Sequence, residues 1–248
     1  MITLALRSVS LTGFLLWAGI ATAQSMSAPA AHTVRRDVPA DAATHAATDV
    51  AMADVLRDGA HMRLTPTRVA TAEDSLRADS IVFVLRDAIA KYRDVRVAEA
   101  RGFRIFAPGV PQRVYHFTSW ENAVRAELTF DATRPTSLLY TRDSAGRFQL
   151  IGAMYTAPAR SSDDDLNARI PLGVARWHMH TDICVPRRLR DHAEWARTRN
   201  GLPVFGPASP IATEAECQAV GGRFRERVFN WMVHVNAFAS NAWSEHSH

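Results

Sequence analysis

The spacing of apolar residues along the chain changes from helical to alternating, and the change separates two kinds of element. Over residues 72–101 Ile81, Leu85, Ala88, Ile89, Tyr92 and Val95 recur at helical intervals and form one apolar stripe. Thr71 stands before the run with Asp74 three residues on, and Glu73 and Asp74 suit the positive end of a helix. One capped helix is therefore predicted here, ending at Gly102. Beyond it the pattern shortens. Segments 103–107, 114–119, 126–130, 137–141 and 148–156 are brief, rich in β-branched and aromatic residues, and parted by turn formers such as Pro108-Gly109 and Asp143 to Gly146. Sequence neighbours usually pair, so these read as an antiparallel meander, with one helical turn starting at Ser119-Trp120-Glu121-Asn122.

The second half repeats the strand signal twice. Arg176-Trp177-His178-Met179-His180-Thr181-Asp182-Ile183-Cys184 is one strand, cut off by Pro186. Residues 224–238 are the other, in a register that puts Asn230, Met232, His234 and Asn236 on one face. Between them, 188–199 reads as a solvent-facing helix ending at Asn200-Gly201, and Thr213-Glu214-Ala215-Glu216 as the capping box of a short helix that carries Cys217. Residues 161–165 read as a polar loop; their three aspartates lack the D-x-[DN]-x-[DN]-G spacing of a calcium loop. The predicted fold class is α+β. An antiparallel sheet or partial barrel packs against one long N-terminal helix, with a small disulfide-pinned helical insertion, in a single domain over 71–248.

The residues before that domain lack its patterning. Residues 1–23 read as a signal peptide: Arg7 gives the positive start, residues 11–20 the apolar stretch, and Ala21-Thr22-Ala23 the cleavage site. Residues 24–70, rich in Ala, Thr, Asp and Pro and without aromatics, read as a flexible leader with a short helix around 50–56. His61 and Met62, both able to ligate soft metals, are expected to be exposed and unengaged within it. Export predicts a periplasmic or extracellular location, with no transmembrane anchor after cleavage.

Composition adds little to this picture and excludes one function class. With 29 Lys and Arg against 25 Asp and Glu, the formal net charge is +4, almost all of it from arginines spread along the chain. No concentrated basic stripe with stacking aromatics is visible, so nucleic acid is not an expected partner; no protein partner is identified. Cys184 and Cys217 are the only cysteines. In an oxidising compartment a disulfide between them is the favoured reading, with Cys184 as a thiolate metal ligand the alternative.

The histidines carry the candidate chemistry. On a strand, residues two apart share a face about 6.5–7 Å apart, whereas on a helix they diverge by roughly 200°. His178, His180 and Asp182 thus share one strand face, opposite Trp177, Met179 and Thr181. Together with His234, and with His116 as a fourth, they make a candidate site for Zn, Cu, Fe or Ni. Asp182 is a candidate ligand or an acceptor that fixes an imidazole tautomer. Met179 and Met232 slightly favour copper, although both read more readily as core. No G-x-S-x-G, H-E-x-x-H, P-loop or Rossmann pattern occurs. Any enzyme activity would then need the metal to activate water or dioxygen, with Glu121 or Glu226 as proton carriers. The opposing reading is a metal-free accessory or interaction module of the cell envelope.

Two resemblances attach to these residues. Gly173, His178, His180, His234 and Asn236 are loosely similar to the cupin pattern. Cupins carry a glutamate where this chain has Cys184 or its neighbours, and a glycine-proline-glycine stretch that is missing here. The strings Tyr115 to Asn122, Trp177-His178-Met179-His180, Phe205-Gly206-Pro207 and Trp231 to Val235 resemble a group of uncharacterised exported bacterial proteins. That group has no established activity, so the resemblance implies export and nothing of chemistry.

Overall fold

The computed structural model describes residues 61–108 and 112–243. The signal peptide and most of the expected leader, up to residue 60, lie outside the described residues. The first described element corrects the leader's boundary. Met62–Leu64 forms strand β1, and His61 is buried at 6 % exposure. Composition misses this because three residues of edge strand need no run of apolar residues, only a neighbour with free ladder groups.

Helix α1, Ala72–Ile89, starts at the predicted cap: Thr71 Oγ1 accepts from the Asp74 amide, and the Asp74 carboxylate accepts from the Thr71 amide. Ala78, Val82, Leu85 and Ile89 are its buried stripe. The helix does not run unbroken to 101. A 3₁₀ turn, Ala90–Arg93, follows it, and Asp94 then caps a separate helix α2, Val95–Ala100. The break has a structural use, because the Tyr92 carbonyl accepts from the Tyr140 hydroxyl at 2.7 Å.

The other strands of the main sheet are β2 (Arg104–Ile105), β3 (Tyr115–Thr118), β4 (Ser137–Arg142), β5 (Phe148–Ala157), β6 (His178–Pro186) and β9 (Gly222–Val235), while β7 (Thr198–Arg199) and β8 (Leu202–Pro203) pair apart from it. With β1 they form one seven-stranded sheet in the order β1-β6-β9-β5-β4-β3-β2, with each neighbouring pair antiparallel. The sheet is open, with β1 and β2 as its edges. Helix α3, Trp120–Ala126, is capped by Ser119. The expected strand at 126–130 is absent: the amides of Leu128 and Thr129 bond back to the Arg125 carbonyl and continue the helical winding. The expected loop at 161–165 becomes the start of helix α4, Asp163–Arg169. Ser162 and Asp165 form a capping box, and the aspartates sit in the first turn, where the helix dipole favours negative charge.

Between β6 and β9 lies the small insertion. Only His192–Trp195 (α5) of the expected 188–199 helix is helical. Asn200 and Gly201 both take positive φ, +55° and +80°, as a two-residue hairpin turn requires. They join β7 (Thr198–Arg199) to β8 (Leu202–Pro203). Helix α6, Glu214–Ala219, follows, capped by Thr213 as its sequence predicts. The Cys184–Cys217 disulfide pins α6 to the end of β6 with Cα atoms 5.4 Å apart. Val204, Phe205 and Ile211 pack around it in a core of their own.

Strand alternation divides the main sheet. Phe117, Leu138, Tyr140, Ala153, Tyr155, Trp177, Met179, Trp231 and Val233 lie in one buried cluster with Val82, Leu85 and Ile89 of α1. The residues between them, His116, Leu139, Met154, Met232, His234, His178 and His180, take the opposite face.

Candidate metal centre

Each predicted imidazole is placed by a strand whose neighbouring residues are fixed in the core. Trp177, just before β6, and Met179 within it are buried at 0 % and 3 % exposure, which forces His178 and His180 to the other side. In β9, Trp231, Val233 and Val235 do the same for His234, and in β3 Phe117 does so for His116. The residue types that packing needs thus decide where the imidazoles point.

Two irregularities bring the rings together. His178 pairs with Met232 but His180 with Val228, so two residues of β6 span four of β9, with Phe229 at φ +76°. A bulge of this kind bends the strand and increases its twist. A second register shift falls between Leu139 and Tyr140 of β4. The consequence shows across the sheet. β3 and β9 are three strand positions apart, roughly 14 Å in a flat sheet. Yet His116 Nε2 stands 3.3 Å from His234 Nε2. The sheet therefore curls toward the imidazole face. Gly152 of β5 permits the close approach of β9, because a Cβ at that position would run into the Val235 carbonyl oxygen.

The four rings form a chain of contacts. His116 and His234 have centroids 5.3 Å apart, His234 and His178 5.1 Å, and His178 and His180 5.5 Å. His178 is buried at 2 % exposure, and the other three are half-buried. Two nitrogens held about 2.0–2.1 Å from one tetrahedral ion stand about 3.3–3.4 Å apart. The His116–His234 pair has that spacing. The set is not closed, however: among the described residues no three His, Cys, Asp or Glu side chains are arranged around a common point.

The other candidates lie elsewhere. Asp182 has φ +54°, which breaks the extended course of β6. Cys184 is in the disulfide and is not a thiolate ligand. Glu121 is exposed on α3 and pairs with Arg125 at 3.1 Å and Arg134 at 3.6 Å, and Glu226 is exposed on β9. His61, expected in the leader, instead ties the insertion to the sheet: its Nε2 is 2.6 Å from the Ser209 carbonyl oxygen, and its own carbonyl accepts from the Thr181 amide.

Met154 lines the same face and was invisible in the linear pattern. It sits within an apolar run in which either parity reads as core, although the alternation Gly152, Met154, Thr156 is its signal. Burial pushes the Tyr140 and Tyr155 phenols up, and burial pulls the Arg169 guanidinium down. Two cavities, of about 60 and 660 Å³, both border Thr129 and Phe130.

No helix among the described residues is long and apolar enough to cross a membrane. The disulfide points to an oxidising compartment. In comparisons with known proteins the chain matches no family model, no curated protein and no solved structure.

Proposed function

We propose that this is an exported metal-binding protein whose ligands come from His116, His178, His180 and His234. The observation that carries the reading is the chain of contacts among four imidazoles from three strands, with two nitrogens at the spacing of a tetrahedral edge. Imidazole suits Zn, Cu, Fe and Ni, and the ligand type alone leaves the metal open. Closing the ring chain on an ion would require imidazoles to rotate about their side-chain torsions. The disulfide supports a location outside the cytoplasm, where the apparent signal peptide would deliver the chain.

Metal analysis of protein purified from its oxidising compartment, followed by titration of the stripped protein, tests this. One equivalent of transition metal is expected, lost in a His178→Ala, His180→Ala variant, with the melting temperature falling on chelation. Protein that comes out metal-free, takes up none of the four metals at micromolar concentration and melts identically with chelator overturns it.

A second reading, a metal-free interaction module, is favoured by one surface. Trp120, Val124 and Leu128 are 70 %, 66 % and 84 % exposed and follow at four-residue intervals along α3 and its end. Such a stripe is more apolar than solvent exposure favours. Metal-free protein that self-associates or captures a partner, and loses this on Trp120→Ser, would support it.

A further inference from the structure

The histidine face carries a second, regular feature. Each of three imidazoles has a methionine as its directly opposite partner on the next strand. Met62 of β1 faces His180, Met232 of β9 faces His178, and Met154 of β5 faces His234. Directly opposed residues point to the same side, with Cβ atoms about 4.5–5.5 Å apart. Three thioethers therefore share the face on which the imidazoles converge. Met154 and Met232 are buried at 7 % and 5 % exposure, and Met62 at the edge is half-buried.

We propose that the site takes cuprous copper and that Met154 and Met232, with Met62 at the margin, supply thioether sulfur beside the imidazoles. This rests on the metal-binding reading above and names its ion. The donor chemistry makes the choice. Both cysteines are consumed in the disulfide, so methionine is the remaining source of sulfur. Thioethers are soft and select Cu(I) from the metals that imidazole alone would accept. Charge argues the same way: thioether donors are neutral, and the cost of burying an ion rises with the square of its charge, so they suit a monovalent ion better than Zn(II). Binding Cu(I) moves no electrons and needs no further reactant.

Methionine also packs well, and Met154, Met232 and Leu139 form a small apolar patch. Replacing methionine by leucine keeps that packing and removes only the sulfur, which makes Met154→Leu, Met232→Leu the deciding variant. Full-length protein with its disulfide intact is titrated anaerobically against a chromophoric Cu(I) chelator, with ascorbate rather than a thiol as reductant. Zn(II) is titrated in parallel against a zinc dye. The wild type is expected to bind one Cu(I) and to show a sulfur shell in copper K-edge X-ray absorption. The double methionine variant is expected to lose at least the roughly 10–100-fold in Cu(I) affinity typical of disturbed metal surroundings. Its Zn(II) affinity and melting temperature stay within about twofold and two degrees of the wild type.

Unchanged Cu(I) affinity in that variant, or a shell of nitrogen alone in the wild type, overturns the copper assignment. A His178→Ala, His234→Ala variant then separates the two claims. If it loses both metals while the methionine variant loses neither, the imidazole site stands and the thioether role falls. If the wild type binds neither metal, the metal reading itself falls. Should the methionine variant fail to fold, X-ray absorption on the wild type alone decides.

Discussion

The two faces of the sheet are made from alternate residues of the same strands, yet they are filled differently. One holds Trp177, Met179, Tyr155, Val233, Phe117, Leu138 and Tyr140, closed over by α1. The other holds four imidazoles, a three-residue apolar patch of Leu139, Met154 and Met232, and hydroxyl pairs such as Thr118 with Ser137 at 2.9 Å and Thr136 with Thr156 at 2.8 Å. The first face has packing as its task, since burial of large apolar side chains is the main stabilising term. The second is mostly out of solvent without being dominated by hydrocarbon. Its composition is the basis of the metal site proposed above.

This contrast predicts unequal consequences for neighbouring residues. Trp177→Ala removes a side chain with no solvent exposure and is expected to cost about 3–5 kcal/mol in denaturant unfolding. A cost below about 1 kcal/mol would mean that this face is not the packed core. Next in size is the disulfide. Cys184→Ser, Cys217→Ser opens a link over a sequence separation of 33 residues, which the chain-entropy model values at about 3.5–4 kcal/mol. Because the insertion has its own small core, the loss should be read as local loosening: faster amide exchange in 187–221 than in β4 and β5.

The imidazole face responds in the opposite sense. His178→Ala, His234→Ala is expected to change the stability of metal-free protein less than Trp177→Ala does. The difference appears on adding metal. At about a hundred times the dissociation constant a bound ion stabilises the native state by about 2.7 kcal/mol, and the double variant should show none of this gain. Equal metal stabilisation of both proteins would separate the ion from these rings.

How far the chain could be read in advance follows the same division. The His-x-His parity, the cap at Thr71, the hairpin turn at 143–146, the α6 cap at Thr213 and the Cys184–Cys217 pair are local patterns, and each is where local chemistry puts it. The gathering of His116 with His234 depends on strand order and on two register shifts. Those are properties of pairing between distant segments, and only the compatible strand parity was legible. Segment 126–130 failed for a related reason: Leu128, Thr129 and Phe130 have the residue types of a strand, but helix α3 reaches them first. Met62 failed because its role is defined wholly by its partner, His180.

The smallest expected effect sharpens the comparison from within the packed face, whose polar atoms must be satisfied locally. Tyr155 is buried at 2 % exposure, and its hydroxyl donates to the Ala132 carbonyl at 2.6 Å. Burial, with the Asp131 carboxylate adding to it, holds the phenol neutral and raises its pKa. The native state thus keeps a proton that an unfolded tyrosine releases near pH 10. The resulting stability is fully present below about pH 10 and is lost as the pH climbs toward the raised native value. Tyr155→Phe removes the bond for about 1 kcal/mol at neutral pH. It should also flatten the alkaline fall in melting temperature, leaving the part due to Tyr140, whose phenol is raised by burial and by the neighbouring Tyr92, Asp94 and Glu99. An unaltered alkaline profile in the variant would show that Tyr155 titrates as a solvated phenol. The packed face would then admit water at its centre, and the distinction between the two faces would be one of residue type without a difference in solvation.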